Sequence, residues 1–568
     1  LYATHMDRNI EKPHNLFWPT WEQAALKDPQ AAETVRAYRQ RPAEELFYLP
    51  GDPHNLHNRV NDPQAAQALM RLRLEVDNYM QQTNDQAPVV GKPVLLSGPR
   101  GEKPRLVVLA DMGNEPDEMQ QMTHLFANAN MFDIEALIAV TGRYLRKGPQ
   151  PELFHQLVDA YEQVLPNLRV HATGWPDAET LRAAVAPGQA GYGKADVGEG
   201  KSSPGSQLLI DVMTREDPRP IWVVINAGSN TLAQALFDYR EQHGQEATER
   251  LASRLQVFEN GAQDDAGGWI MHRFPDIHWF RSNNQTYAYG GPVNDTAEGV
   301  AKNQRGPHTW QPFGYDNVGQ LNWQNRYVRY GHGELGKQYP ERRFRRGGIG
   351  FMEGGGTTPW LGFVDRGLFE PSKPWWGGWS GRSTQEKVDN PWSRHKDVRA
   401  SEQEDAPFRM FAEDSDRWTD PETGETYDNI FAPVWRWRRA MYNNFAARMD
   451  WSIKTFTEAN HHPVAVINGD NSDGMMHYTA QAGQGYGFDA SGSSDPDRDG
   501  LVFSWFFYPE AGTYQGELPA AFPTEPKIRV DVPADAGGSQ IHLVLEVRDS
   551  DPELPLSDYR RIVIEVRD

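Results

Sequence analysis

From residue 105 onward the chain alternates two patterns, and that alternation limits the folds open to it. Short runs of β-branched and aliphatic residues occur at Leu106–Ala110, Ile134–Thr141, Leu168–Thr173, Ile221–Asn226 and Arg254–Glu259. Between them, apolar residues recur at helical spacing over Asp117–Ala127, Pro151–Val164, Ala178–Val185, Ser206–Thr214 and Thr231–Tyr239. Strands that alternate with helices pair in parallel, because each crossover returns the chain to the same sheet edge. The expected core is an α/β layer structure: a mostly parallel sheet with helices on both faces.

In an open sheet of this kind, ligands bind at the C-terminal ends of the strands. The first strand runs into Asp111-Met-Gly-Asn-Glu-Pro-Asp-Glu118, a loop holding Asp111, Asn114, Glu115, Asp117 and Glu118. A helix starts there, and its N-terminus favours negative charge. Two readings are open: a capping loop, or a site in which Asp111 and Asp117 contact a ligand. Asp264 and Asp265 follow the run ending at Glu259 and form a second acidic pair, either a surface turn or a functional pair. Adjacent carboxylates raise one partner's proton affinity, which suits general-acid work.

The acidic loop resembles the fingerprint of nucleoside hydrolases. It resembles more closely the nucleoside-hydrolase-like family named after a cellulose-binding protein, whose loop reads Thr-Asp-x-Gly-Asn-Glu-Pro-Asp-Asp. The likeness continues through Phe132–Ala139, Val197–Ser206, Trp222–Leu236, Gln263–Gly267 and Trp375–Arg382. The resemblance implies a glycoside hydrolase acting on a furanoside or on an oligosaccharide or polysaccharide end. The alternative is a non-catalytic carbohydrate-binding protein on the same scaffold. Asp111 and Asp117 match the family loop and would be catalytic or hold Ca2+. Glu118 stands where the family has Asp, as a third metal or sugar contact. Asn226, Ser229 and Asn230 would bind sugar hydroxyls, with Asn114. Asp264, Asp265 and Glu353 would supply the opposing acid or base. The family's Glu-Gly-Asp-Thr-Pro is Glu353-Gly-Gly-Gly-Thr-Thr-Pro359 here, which removes an aspartate from the calcium set.

Trp310, Trp323, Trp360, Trp375, Trp376 and Trp379 recur beside glycines. They are either sugar platforms, with Trp375 and Trp376 foremost, or the wall of a large core. After Val464–Ile467, read as the last strand of this domain, the pattern changes to short alternating strands, a small antiparallel sandwich of immunoglobulin type. Asp495, Asp497 and Asp499 alternate there and read as a solvated turn or a calcium loop. The stretch Pro88–Pro104, rich in Pro, Gly and Lys, reads as a linker; before it, Arg41–Asn58 and the neighbourhoods of His5 and Trp18 resemble the C-terminal subdomain of type I sulfatases, a small α+β segment. The clearest helix there is Ala65–Met80, with Leu69, Leu72, Val76 and Met80 on one stripe. His54 and His57 read as loop histidines. The sulfatase nucleophile motif does not occur in the chain, so no sulfatase activity is expected of it; either a sulfatase domain is fused upstream, as one expected partner, or the segment is a docked remnant. The expected division is 1–95, 104–470 and 471–568.

The net charge of −21 disfavours nucleic acid and anionic membranes as partners, and would repel a polyanion except at a local basic cleft. No apolar run reaches the ~18–20 residues that span a bilayer. The chain has no cysteine, so neither disulfides nor thiolate ligands enter the argument. It begins at Leu1 without a signal pattern and is expected to be a processed or excised piece of a periplasmic or secreted protein, with self-association open.

Overall fold

The computed structural model describes residues 101–568 except 291–316, 342–352, 354, 366, 386–391, 422–423 and 519–523. Before residue 101 it describes scattered positions and a helix over Phe17–Ala25. Trp310, His5, His54 and His57, and most of the stretch 65–80, lie outside the described residues. The chain divides into two compact units, Leu1–Leu95 and Leu96–Asp568. The second unit carries the acidic loop.

Its centre is an eight-stranded sheet in the order β3-β2-β1-β4-β5-β6-β8-β7. The strands are β1 (Arg105–Ala110), β2 (Asp133–Ala139), β3 (Val185–Pro187), β4 (Ile221–Ile225), β5 (Leu255–Asn260), β6 (His278–Ser282), β7 (Ser383–Thr384) and β8 (Phe411–Glu413). All neighbours pair in parallel except β7, which runs antiparallel to β8 at the edge. Strand β1 lies in the middle, and its six residues are all buried. Its side chains alternate between the two faces. Leu106 and Val108 join one core with Met122, Phe126 and Trp222, while Val107 and Leu109 join a second with Leu209, Leu232 and Ile270. Such double burial is why a parallel strand reads as an unbroken apolar run.

The first core is covered by α1 (Pro116–Ala127), α2 (Glu152–His171) and α6 (Arg438–Asp450). The second is covered by α3 (Pro204–Thr214), α4 (Asn230–His243) and α5 (Ala266–Arg273). Two expectations are corrected here. Leu168–Thr173 is not a strand: α2 continues through it to His171. Val164, Leu165, Leu168 and His171 are buried while Val170 is exposed, a helical rather than an alternating pattern. Val464–Ile467 makes only isolated bridges, Val464 with Ser494 and Ile467 with Asp470, and adds no strand to the main sheet.

Beyond β8, an antiparallel pair of β9 (Asp416–Thr419) and β10 (Thr426–Asn429) leads toward the C-terminal part. That part holds a four-stranded sheet in the order β11-β16-β15-β13 and a two-stranded sheet of β12 and β14. The strands are β11 (Met476–Gln481), β12 (Gly485–Asp489), β13 (Leu501–Phe507), β14 (Lys527–Asp531), β15 (Gln540–Asp549) and β16 (Ser557–Arg567). A separate core of Phe488, Trp505, Ile528, Leu543 and Ile562 fills it. The larger sheet is mixed rather than antiparallel throughout, because β11 pairs in parallel with β16. This part is docked on the α/β domain. Arg561 donates to the carbonyl of Gly377 at 3.0 Å, and Tyr508 donates to Asp416 at 2.6 Å.

The tryptophans separate cleanly. Trp323, Trp360, Trp376 and Trp379 are at most 2% exposed, so among the described residues the core reading holds for these four. Trp376 meets the C-terminal sheet: its Nε1 donates to Gln540 at 3.1 Å, and its ring stands edge-on to His542. As a sugar platform Trp376 is therefore corrected, because the ring is enclosed by protein. Trp375 is 39% exposed and stacks beside Phe411 on β8, the neighbour of the edge strand β7.

Candidate functional site

The strand ends place the acids. Asp111 directly follows β1, and Gly113, at a φ of 87°, turns the chain toward α1. Pro116 opens that helix, and Glu115 and Glu118 form a capping box at its start. Glu118 accepts the Glu115 N–H at 3.2 Å, so part of its carboxylate serves the cap.

Asp111 does not serve the cap. It is fully buried, and neither carboxylate oxygen makes a well-formed hydrogen bond among the described residues; its own backbone N–H and the Glu118 carboxyl are the groups that favour its anion. Burial, then the charge of Asp117, holds its proton affinity well above the usual carboxylate range. The Glu118 carboxyl beside it acts in the opposite sense. Gly142, just past β2, lies against it: a Cβ there would sit 2.5 Å from Asp111 Oδ2. Asp117, Gln121 and His124 follow along one stripe of α1 at helical spacing. Gln121 Nε2 reaches Asp117 at 3.4 Å, and Asn226, at the end of β4, donates to Gln121 Oε1 at 3.2 Å. The Asn226 Oδ1 atom is buried and lacks a partner among the described residues. Asn114 is half-buried, with its backbone N–H on the Asp111 carbonyl at 3.2 Å.

A second group gathers around Asp264. Ser229 donates to its Oδ1, the Asn230 N–H to its Oδ2 at 3.1 Å, and the Ala266 N–H to Oδ1 at 3.2 Å. Asn230 also donates its side chain to the Gly191 carbonyl at 3.0 Å. Burial raises the Asp264 carboxyl to about 7 against the pull of these donors. Asp265 accepts the Lys194 N–H at 2.7 Å and fixes the 193–194 loop. The loops Thr141–Gly142 and Ala227–Gly228 meet between the two groups, since Cβ atoms at Gly142 and Gly228 would sit 3.0 Å from Ala227 Cβ and 2.3 Å from the Thr141 carbonyl.

Glu353 stands apart. It is fully buried under α1, where Tyr339 donates to Oε1 at 3.1 Å, Thr357 donates to Oε2, and His124 lies 3.2 Å away. The glycines after it press on the strand ends: a Cβ at Gly355 would lie 2.4 Å from Asn260, and one at Gly356 2.2 Å from Gln121. Glu353 thus braces the floor from below, enclosed by the core.

Above the floor stand groups that no motif marks: Arg143, Tyr144 and Arg146 after β2, Tyr192 after β3, Tyr287 after β6, and Arg394. Tyr192 donates to the Gln263 carbonyl at 2.6 Å and lies under the Arg146 guanidinium. The signal that could have found them is their position behind strand ends, legible only once the strands are known.

A calcium ion would need several oxygens converging on one point. The orphaned oxygens of Asp111 and Asn226 Oδ1 suit a cation. Among the described residues, however, no three acids or histidines converge closely enough to hold a metal ion. As arranged, the donor set does not fit one, and no chemical step is derived through it.

Residues 105–383 match the model of the cellulose-binding Sde182, nucleoside hydrolase-like domain. Residues 486–566 match the C-terminal domain of the cellulose-binding protein Sde0182. A solved structure from Saccharophagus degradans, described as a nucleoside hydrolase-related hypothetical protein associated with carbohydrate metabolism, is 31% identical, with a TM-score of 0.67. The match covers 82% of this chain and 100% of that one. An effector protein structure at 10% identity has a TM-score of 0.26 and carries no argument. No curated protein matches. Among the described residues no helix is long and apolar enough to cross a membrane.

Proposed function

The chain belongs to the cellulose-binding, nucleoside-hydrolase-like family, and from that premise we propose that its strand-end cleft binds a sugar and hydrolyses a glycosidic bond in polysaccharide breakdown. The observation that carries this is Asp111, a buried carboxyl with neither oxygen given a well-formed hydrogen bond by the described protein. Burying such a group unpaired costs several kcal/mol, of order 2–7 on transfer scales. A carbohydrate supplies what is missing, since sugar hydroxyls donate to carboxylates. In the reaction, water attacks the anomeric carbon and gives a proton to a carboxylate base. The glycosidic C–O bond breaks, and the leaving oxygen takes a proton from an acid. Asp117, at the rim of the buried group, is assigned the water, and Asp111, with its raised proton affinity, hydroxyl binding or proton donation.

A second reading has its own support. Each expected opposing group is engaged by the protein: Asp264 by three donors, Asp265 by Lys194, and Glu353 by Tyr339 and Thr357. A scaffold without a free opposing acid binds carbohydrate without cleaving it. The experiment is to assay wild type, Asp117→Asn and Asp264→Asn on oligosaccharides with free reducing and non-reducing ends, with and without a chelator. Loss of a catalytic carboxylate lowers turnover by about a hundredfold or more. Binding by calorimetry without any release of sugar decides for the second reading. Activity lost on chelation and restored by calcium would reinstate the metal. The sulfatase-tail likeness of 1–95, the division at 104 and 471, a periplasmic or secreted location and self-association belong to the same proposal and fit breakdown of an external glycan.

A further inference from the structure

The cleft carries two opposite chemistries. Buried acids stand at the strand ends, whereas the loops beyond them present guanidinium groups, in a chain whose net charge is −21. An acidic protein repels anions unless it concentrates positive charge where they bind.

The arginines of the rim are not equivalent. Arg143 pairs with Asp397 at 2.6 Å, and Arg146 lies 3.8 Å from the same carboxylate and 4.1 Å over the Tyr192 ring. Arg394 has no carboxylate within ion-pair distance among the described residues. Its Nη2 donates to the Tyr287 hydroxyl at 2.9 Å, and the group lies over that ring. It is solvent-exposed, yet it borders the strand ends, for a Cβ at Gly261 would sit 3.7 Å from Nη2. Glu115 is the acid in its field, and Glu115 is engaged at the cap of α1. A guanidinium offers five donors and no acceptor. One is used on Tyr287, and among the described residues the rest of the fork has no hydrogen-bond partner.

Next to it, His395 is nine-tenths buried, and its Nε2 has no partner among the described residues. Its ring stands edge-on to Tyr144, which is 57% exposed. Burial, with Arg394 and Arg143 nearby, keeps this histidine neutral down to about 4. A planar fork is a donor set for an oxyanion, and the neutral His395 ring next in the chain adds a further donor when its proton sits on Nε2. Hydroxyl groups alone would not call for them, because the acidic floor already accepts from hydroxyls.

We propose that the sugar bound in this cleft carries an anionic substituent, a carboxylate or a sulfate, which Arg394 and His395 receive at the rim. The inference rests on the carbohydrate reading of the cleft. It makes the preferred substrate an acidic glycan, its ring hydroxyls toward Asp111 and Asp117 and its charged group toward Arg394.

The test is calorimetry on the full chain with oligosaccharides of one length in three forms: neutral, uronate-bearing and sulfated. Wild type, Arg394→Gln and Asp111→Asn are compared, each checked to unfold in one cooperative transition. One anionic series is expected to bind about tenfold or more tighter than the neutral one, the size of a charge-assisted hydrogen bond. Arg394→Gln should close that gap, and rising salt should narrow it. Which series gains, uronate or sulfate, identifies the substituent. Equal affinity for all three forms, or a gap that survives Arg394→Gln, overturns the proposal. Neutral sugars bound through Asp111 without any anionic preference would overturn this inference alone. Binding of no form would overturn the carbohydrate reading as well.

Discussion

Two aspartates of this molecule are buried to the same degree and treated in opposite ways. Asp416, where the C-terminal part docks, is 1% exposed. Its Oδ1 accepts from Arg382 at 2.7 Å, and its Oδ2 from Arg436 at 3.0 Å and Tyr508 at 2.6 Å. Asp111 is 0% exposed and is given neither a cation nor a well-formed hydrogen bond among the described residues. The fold is thus able to satisfy a buried carboxylate and does so where the carboxylate joins two layers. At the strand ends it gathers acids instead, and their repulsion is left to something bound. Strain retained at a site while the rest of the protein is satisfied is the usual mark of function rather than of architecture.

The contrast can be broken by mutation. The largest effect is expected from Asp416→Ala. Removing the shared anion leaves Arg382 and Arg436 buried without it and costs about 3–5 kcal/mol. A large drop in the urea midpoint, or insoluble protein, checks this. Asp111→Asn should do the reverse, adding about 1 kcal/mol of stability while turnover falls by about a hundredfold. A destabilised Asp111→Asn would show that the group is structural and end the contrast.

Asp264 sharpens the comparison through pH. Its carboxyl titrates at about 7 folded and near 3.8 unfolded, so the folded state holds the proton more tightly. Stability from this group is therefore full below 3.8, falls as pH rises toward 7, and is flat beyond. Asp264→Asn does not titrate. The difference in urea midpoint between it and the wild type should change between pH 4 and 7 in the mutant's favour and then level off. A difference that is constant with pH would contradict this. The smallest effect is expected from Trp375→Ala, within about 0.5 kcal/mol in stability, because the ring is partly exposed at the sheet edge. If glycan affinity falls in that variant, the platform reading of Trp375 gains support.

Locality decides how much of this was legible in the sequence. The strands β1, β2, β4 and β5 are buried on both faces, so their apolar runs are unmistakable, and Asp111 is marked by standing between such a run and a helix start. Leu168–Thr173 misleads because its β-branched residues imitate a strand, whereas burial of every third or fourth residue extends α2. Trp376 could not be told from a sugar platform, since aromatics beside glycine look alike whether sugar or a second sheet covers them. Arg394 and Tyr287 carry no local mark at all. They reach the cleft only through the order in which the strands are laid side by side.

The glycines after Glu353 have a consequence for any redesign of this loop. A Cβ at Gly355 would lie 2.4 Å from Asn260, and one at Gly356 2.2 Å from Gln121 and 2.4 Å from Asn226. An aspartate introduced at either position would collide with those side chains before its carboxylate reached the strand ends. Adding an acid to this loop therefore takes at least two changes, the aspartate and a smaller neighbour to admit it.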